Sequence, residues 1–457
     1  MIERISLGEW DARYPALKAA GLEEPSCGGP LGRHLDAGDR RLATLRYDPS
    51  AAALRLWNFL LSEEDRLHAA RAAGQKIVGT MKDLGTVPVM AYALPNLTAF
   101  YPDGAWWIPC VMERGSGALA AADQLGVPES FCPVRAMLGA FATGAHFPIP
   151  DLLVSSAGSV CDDFSAIAQR VEGLGHPVLW WEMPHRRMPD DGEEAVALPG
   201  GLAAPAAQVA IVRTELARVG RALESLSGHR LDAAALAEGI RRANEVRAVL
   251  RMLREAVFTA PAAPLPALEL QIAEMLAIHF CSDRAESLAV LTGLRDEVAR
   301  RVRAGEGCAP ADAVRVFWIN PVADIRALNL LEDCGARLCG TDFMIGHALD
   351  PIPEDVPPLE ALARMALSDP MVGCSGERAQ RAGREMRALG AEAAVVSRIP
   401  GASHCATEGA ILRDTIGGIC DVPVVEIEVP PLSDAMLPNV RTRLEALAET
   451  VRRRRGR

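Results

Sequence analysis

Three cysteines stand where a chain can present a thiol to a ligand: Cys132, Cys161 and Cys405. Cys161 ends the run Asp151-Leu-Leu-Val-Ser-Ser-Ala-Gly-Ser-Val-Cys161, which reads as a short buried strand and a Gly/Ser turn, with a helix starting at Asp162-Asp163. The same device returns in Ala393-Ala-Val-Val-Ser-Arg-Ile-Pro-Gly-Ala-Ser-His-Cys405. After each cysteine comes a helix-like segment and then a matching strand, Pro177-Val-Leu-Trp-Trp-Glu-Met-Pro184 and Pro423-Val-Val-Glu-Ile-Glu-Val-Pro430. An internal repeat of this kind implies two similar α/β halves. Each half presents a thiol at the C-terminal end of a strand, where open α/β sheets bind ligands. Cys132 precedes Pro133 in Pro128-Glu-Ser-Phe-Cys132-Pro-Val-Arg-Ala-Met-Leu-Gly139, at what reads as a helix N-terminus. Proline suits the first helical turn, and the helix dipole there favours negative charge on sulfur.

These thiols admit three chemistries. A cysteine nucleophile needs an orienting base; His404 adjoins Cys405, but neighbours in sequence point apart and no acyl-transfer pattern accompanies them. Zinc draws on closely spaced pairs; Cys334 and Cys339 are spaced Cys-x4-Cys with no second pair at zinc-ribbon spacing, and both read as structural. An iron–sulfur cluster can take single thiolates from strand ends of different domains. The scattered positions fit that third arrangement and leave the other two open. Gly158, Ser159, Gly401 and Ser403 make small turns whose N–H groups could bond cluster sulfurs. The other eight of the eleven cysteines are expected to be packing residues.

The elements that position these residues follow from patterning. Residues 1–72 read as mostly helical, with Ser62-Glu-Glu-Asp as a helix start. Lys76-Ile-Val-Gly-Thr-Met reads as the first strand and Val87-Pro-Val-Met-Ala-Tyr as the next, while Trp106 to Cys110 is an apolar cluster. Pro184 to Glu194 is polar and proline-broken, a solvated linker carrying Arg186 and Arg187. Residues 205–304 read as helices broken at Ser227-Gly-His-Arg and at the proline-rich Thr259–Pro266, with Asp232 as a cap. Val314-Arg-Val-Phe-Trp-Ile opens a second set of strands, and Arg441 to the C-terminus reads as a helix with a solvated arginine run. The fold expected is α/β: two Rossmann/flavodoxin-like domains with mainly parallel sheets, a helical N-terminal segment and a helical insertion. The expected divisions are 1–72, 73–190, 191–310 and 311–457.

At 457 residues the chain exceeds one ordinary core. A net charge of −11 argues against a nucleic-acid partner. No apolar run reaches the ~18 residues of a membrane span, and Met1-Ile-Glu-Arg-Ile-Ser lacks the pattern of a signal peptide. A cytoplasmic protein with reduced thiols is expected.

The sequence resembles the iron–sulfur subunits of 2-hydroxyacyl-CoA dehydratases and class I benzoyl-CoA reductases, a family that includes double-cubane cluster proteins. The residues that carry the resemblance are Phe131–Gly139, Ser156–Asp163, Ser403-His-Cys405, the strand Val422–Glu428, Arg301–Gly307 and the closing Arg441-Thr-Arg-Leu-Glu-Ala, in that family's arrangement over roughly residues 70–455. The resemblance implies a [4Fe-4S] cluster, or a double-cubane cluster, held by Cys132, Cys161 and Cys405. Ser159, Ser403 and His404 would tune it. It also implies a homologous partner subunit in a homo- or heterodimer, an ATP-hydrolysing iron–sulfur activator protein, and an acyl-CoA substrate. The activity implied is oxygen-sensitive: 2-hydroxyacyl-CoA dehydration (a lyase) or benzoyl-CoA ring reduction (an oxidoreductase). Alternatives are small-molecule reduction by a double-cubane cluster and a non-catalytic electron-relay or scaffold subunit.

Overall fold

The computed structural model describes residues 1–457 except 24–27, 37–39, 82–84, 103–114, 159–160, 280–281, 344–345, 404–406, 431–433 and 457. Its frame is two four-stranded sheets. The first is built from β1 (Lys76–Met81), β2 (Leu97–Phe100), β3 (Leu152–Gly158) and β4 (Val178–Met183). All neighbours are parallel, with Ile77 opposite Thr98 and Val154 opposite Leu179. Strands covered on both faces tolerate nearly continuous apolar runs, and β1 is buried from Ile77 to Met81. A short antiparallel hairpin follows, β5 (Ala195–Leu198) with β6 (Leu202–Pro205). The second sheet holds β7 (Val314–Ile319), β8 (Ala336–Asp342), β9 (Ala393–Arg398) and β10 (Val424–Glu428), again all parallel.

The strand orders are β2-β1-β3-β4 and β10-β9-β7-β8. Read from its other edge, the second becomes β8-β7-β9-β10 and matches the first strand for strand. The repeat in the sequence is therefore a repeat of topology. The strands that lead to Cys161 and Cys405, β3 and β9, hold the same inner place. In each sheet the chain reverses its direction of travel between that strand and its inner neighbour, β1 or β7. Such a reversal opens a crevice beyond the C-terminal strand ends.

Helices Ala206–Ser227, Ala233–Thr259, Ala267–His279 and Arg284–Ala304 lie between the two sheets in sequence. Asp232 caps the second of them on the Ala235 amide at 2.8 Å. One continuous core joins Trp10 and Trp57 of the N-terminal helices to Val154 and Trp181, to Leu250 and Leu268, and to Val316 and Trp318. The alternate residues of the second sheet, Phe317, Ile319, Ala394 and Val396, form a smaller core on its other face with Leu412 and Ile416. This is the period-2 reading of a strand buried on both sides. The N-terminal segment docks on the second half: the Ile2 amide donates to Gly307 O at 2.7 Å, and Arg4 pairs with Glu332 at 2.8 Å and Asp333 at 2.7 Å.

Three expectations are corrected. Val87 to Tyr92 is not a strand but part of the helix Thr86–Tyr92, which starts at Gly85 with φ +82°. Pro88 has no amide to give an inner strand but is at ease in a first helical turn. The hairpin β5–β6 stands where only linker and helix were expected, turning at Gly200 and Gly201, both at φ +72°. The linker is not a solvated loop throughout. Arg186 is 3% exposed and donates to Leu367 O at 2.6 Å and Glu377 at 2.8 Å, while its amide donates to Val372 O. Arg187 is exposed and pairs with Asp190 and Glu193. The C-terminal arginines lie on the helix Leu437–Arg455 and are exposed, as expected; Arg455 also pairs with Glu392, and Arg452 donates to the Gly335 carbonyl.

Candidate functional site

β3 ends on Gly158 with φ +96°. A Cβ there would collide with the Met183 carbonyl at the end of β4. Only glycine lets the chain turn out of the sheet at this point. Cys161 then N-caps the helix Asp162–Gly173 in an extended conformation, half-buried. Its Sγ lies 3.8 Å from Asp163 Oδ2. That same oxygen accepts the Ser403 amide at 2.9 Å and the Ser403 hydroxyl at 3.1 Å. Asp163, 6% exposed, thus ties the Cys161 helix to the loop beyond β9.

Cys132 is buried at the N-cap of the turn Pro133–Arg135, which runs into the helix Ala136–Thr143. Gly401 packs against the residues just before it. A Cβ on Gly401 would stand 2.7 Å from the Phe131 carbonyl carbon and 2.8 Å from the Ser130 and Phe131 carbonyl oxygens. The loop Ile399–Ser403 is therefore pressed on one side against the Cys132 segment and bonded on the other to the Cys161 helix. The structure brings the loop that carries Ser403 against the segments that carry Cys132 and Cys161. Ser159, His404 and Cys405 lie outside the described residues. Among the described residues no group of three or more His, Cys, Asp and Glu side chains could hold a metal ion.

The duplication extends to a fourth thiol. Cys374 N-caps the helix Ser375–Ala388, which leads into β9 as the Cys132 segment leads into β3. Cys374 is exposed, which corrects its expected packing role. Cys334, Cys339 and Cys420 are buried as expected. Burial pushes the Cys334 thiol up to about 11 and the Cys339 thiol up to about 12, so both are protonated packing groups at neutral pH. Cys27, Cys110 and Cys281 lie outside the described residues, as does the apolar cluster at Trp106.

Sequence reasoning missed Asp163, because an acid in the first turn of a helix ordinarily serves the helix itself. It also missed a buried network on the second sheet. Arg378 donates to Asn320 Oδ1 at 2.8 Å, Asp342 Oδ2 at 2.8 Å and Glu408 Oε2 at 2.7 Å. Ser375 donates to Glu408 Oε1 at 2.8 Å. These bonds lock the C-terminal ends of β7 and β8 to the helix starts that follow Cys374 and Cys405. Their residues are scattered over the sequence, and no spacing announces them.

The family 2-hydroxyglutaryl-CoA dehydratase, D-component, matches residues 90–451. The chain belongs to this family. The D-component match spans the segments of all three candidate cysteines and every strand from β2 onward, and leaves β1 and the N-terminal helices outside it. It bears out the resemblance to the 2-hydroxyacyl-CoA dehydratases, and it makes the chain a dehydratase-type component. No curated protein matches the sequence. Among the described residues no helix is long and apolar enough to cross a membrane.

Proposed function

We propose that this D-component protein is the iron–sulfur subunit of an ATP-activated enzyme that dehydrates a 2-hydroxyacyl-CoA thioester. Cys132, Cys161 and Cys405 would hold a [4Fe-4S] cluster between the two sheets. The observation that carries this reading is the double attachment of the loop Ile399–Ser403, to Phe131 through Gly401 and to Asp163 through Ser403. That loop leads toward Cys405 in the sequence, and its contacts with the Cys132 and Cys161 segments support a meeting of the three thiols. The donor set fits the group: single soft thiols at helix starts suit iron–sulfur ligation rather than hard oxygen-ligated ions. When bound, such a cluster supplies one-electron chemistry at low potential.

The chain's own residues supply position and shielding. Cys132 is buried and Cys161 half-buried, so a ligand held by them meets little water. Ser403 gives both its amide and its hydroxyl to Asp163. Its part is to hold the loop, with Ser159 and His404 left as the candidates to tune a cluster. A homologous subunit would complete the site, and a separate ATP-hydrolysing iron–sulfur activator would deliver the electron. The D-component match favours dehydration over aromatic-ring reduction.

The test is anaerobic purification with iron and sulfide analysis and visible absorbance. Cys132→Ala, Cys161→Ala and Cys405→Ala are each expected to lose the broad iron–sulfur absorbance, and Cys334→Ala to keep it. Full iron content in the Cys161 or Cys405 variant would sink the assignment.

A further inference from the structure

Arg247, on the helix Ala233–Thr259, is 1% exposed. Its Nε and Nη1 have no hydrogen-bond partner. Nη2 meets only the thioether sulfur of Met365, at 3.2 Å. Among the described residues no nitrogen of this guanidinium finds an oxygen acceptor. Burial lowers its pKa to about 10, so it still carries its charge at neutral pH. Elsewhere the buried arginines of this protein are answered. Arg301 is held by Asp48 and Glu297, Arg378 by Asp342 and Glu408, and Arg186 by Glu377. A charge taken out of water without a partner destabilises a fold strongly. A ligand of the opposite sign would offset that cost.

The surroundings say where that ligand enters. Tyr101 follows directly on the last residue of β2, and its phenol is among the groups that act electrostatically on Arg247, as is Asp350 beyond β8. Gly85, which follows β1 at the start of the helix Thr86–Tyr92, faces Nη2: a Cβ there would stand 3.5 Å from it. Glycine at this position puts no side chain between that nitrogen and the end of β1. Arg247 thus stands at the C-terminal end of the first sheet, on the edge where parallel sheets receive ligands, with Met365 of the second half behind it.

We propose that Arg247 is the receptor for an oxyanion, the carboxylate or phosphate group of a ligand entering at the C-terminal ends of β1 and β2. A planar fork of five N–H donors is suited to both groups. The site uses none of the candidate cysteines, so it stands apart from the cluster reading.

The experiment follows thermal unfolding of the full-length, anaerobically purified protein titrated with inorganic phosphate, with acetate and with free CoA, against chloride at equal ionic strength. The wild-type midpoint is expected to rise with at least one oxyanion beyond its rise with chloride. Phosphate against acetate tells a phosphate site from a carboxylate site, and CoA tells whether the phosphate is carried on that molecule. Arg247→Met is expected to weaken the responding anion at least ~10-fold, with iron content unchanged in the same samples. Unchanged anion affinity in Arg247→Met overturns the proposal. So does a wild-type midpoint that answers the oxyanions no more than chloride, and that arm holds even if the variant does not fold.

Discussion

Asp163 and Gly401 decide whether three chain segments meet, and each can be tested alone. Asp163→Ala leaves the Ser403 amide and hydroxyl without their acceptor. Ser403 is exposed and water can partly replace the acceptor, so urea unfolding should show a loss of about 0.5–1.5 kcal/mol, the net worth of a hydrogen bond. Asp163→Asn keeps an acceptor oxygen and should lose less. If the cluster reading holds, iron retention falls in the same order. Gly401→Ala faces two penalties, its φ of +79° and the collision with the Phe131 carbonyl. Gly228, at φ +75° with nothing within 4 Å, isolates the first. Gly228→Ala should cost about 1 kcal/mol, and Gly401→Ala clearly more. Equal losses would mean that the Phe131 contact is not tight. The thiols themselves were legible, since a cysteine after a strand and a glycine turn is visible in the sequence twice. Asp163 was not, because nothing local distinguishes an acid that serves its own helix from one that reaches a loop some 240 residues away.

Elements were legible where local patterning and burial agree. Seven of the eight sheet strands stand in stretches that read as strands, because runs such as Val314-Arg-Val-Phe-Trp-Ile are β-branched or aromatic and bounded by turns. Val87-Pro-Val misled because a short buried helix and a short buried strand are equally apolar. β2, only Leu97–Phe100, is too short to show a period. The linker misled for another reason. Polar, proline-broken chain looks alike whether its hydrogen bonds go to water or to another element. Arg186 shows which it is here, strapping the chain after β4 to the loop Leu367–Val372. Arg186→Met should therefore cost about 3 kcal/mol, the low end for a broken buried pair because Glu377 is partly exposed. Arg187→Ala, on an exposed pair, should stay within about 0.5 kcal/mol. A chemical denaturation series on both variants checks the contrast, and a silent Arg186→Met would mean the strap bears no strain.

For the whole molecule, the joint between the N-terminal segment and the second half sets a dependence on pH. Glu269, bonded to the Trp57 indole at 3.1 Å and the Asp48 amide at 3.0 Å, is pushed up to about 8 by burial and then by the Asp48 charge. Glu332 is pushed up to about 7 by burial, against the pull of Arg4. Both folded-state values lie above the ordinary 4.5. The folded protein therefore holds protons that the unfolded chain has released. The stability they contribute is fully present below pH 4.5 and is lost as pH rises through about 7 and then about 8. In that window unfolding free energy should fall by up to about 1.4 kcal/mol per pH unit for each proton. Urea unfolding across the window should show the decline, and Glu269→Gln should flatten it. A flat wild-type profile would show that neither carboxyl is held protonated.

The bond between Asp163 and Ser403 also sets an order in time. Its acceptor is made early and its donors late, roughly 240 residues of synthesis apart. At ~5–20 residues per second that interval lasts roughly 10–50 s. Throughout it Cys132 and Cys161 exist without the loop that completes their surroundings. Whatever those thiols take up together with the segment beyond β9 can only be loaded after Ser403 has been made. Ribosome-bound chains stalled before Ser403 should accordingly take up no iron under anaerobic reconstitution, while the released protein does.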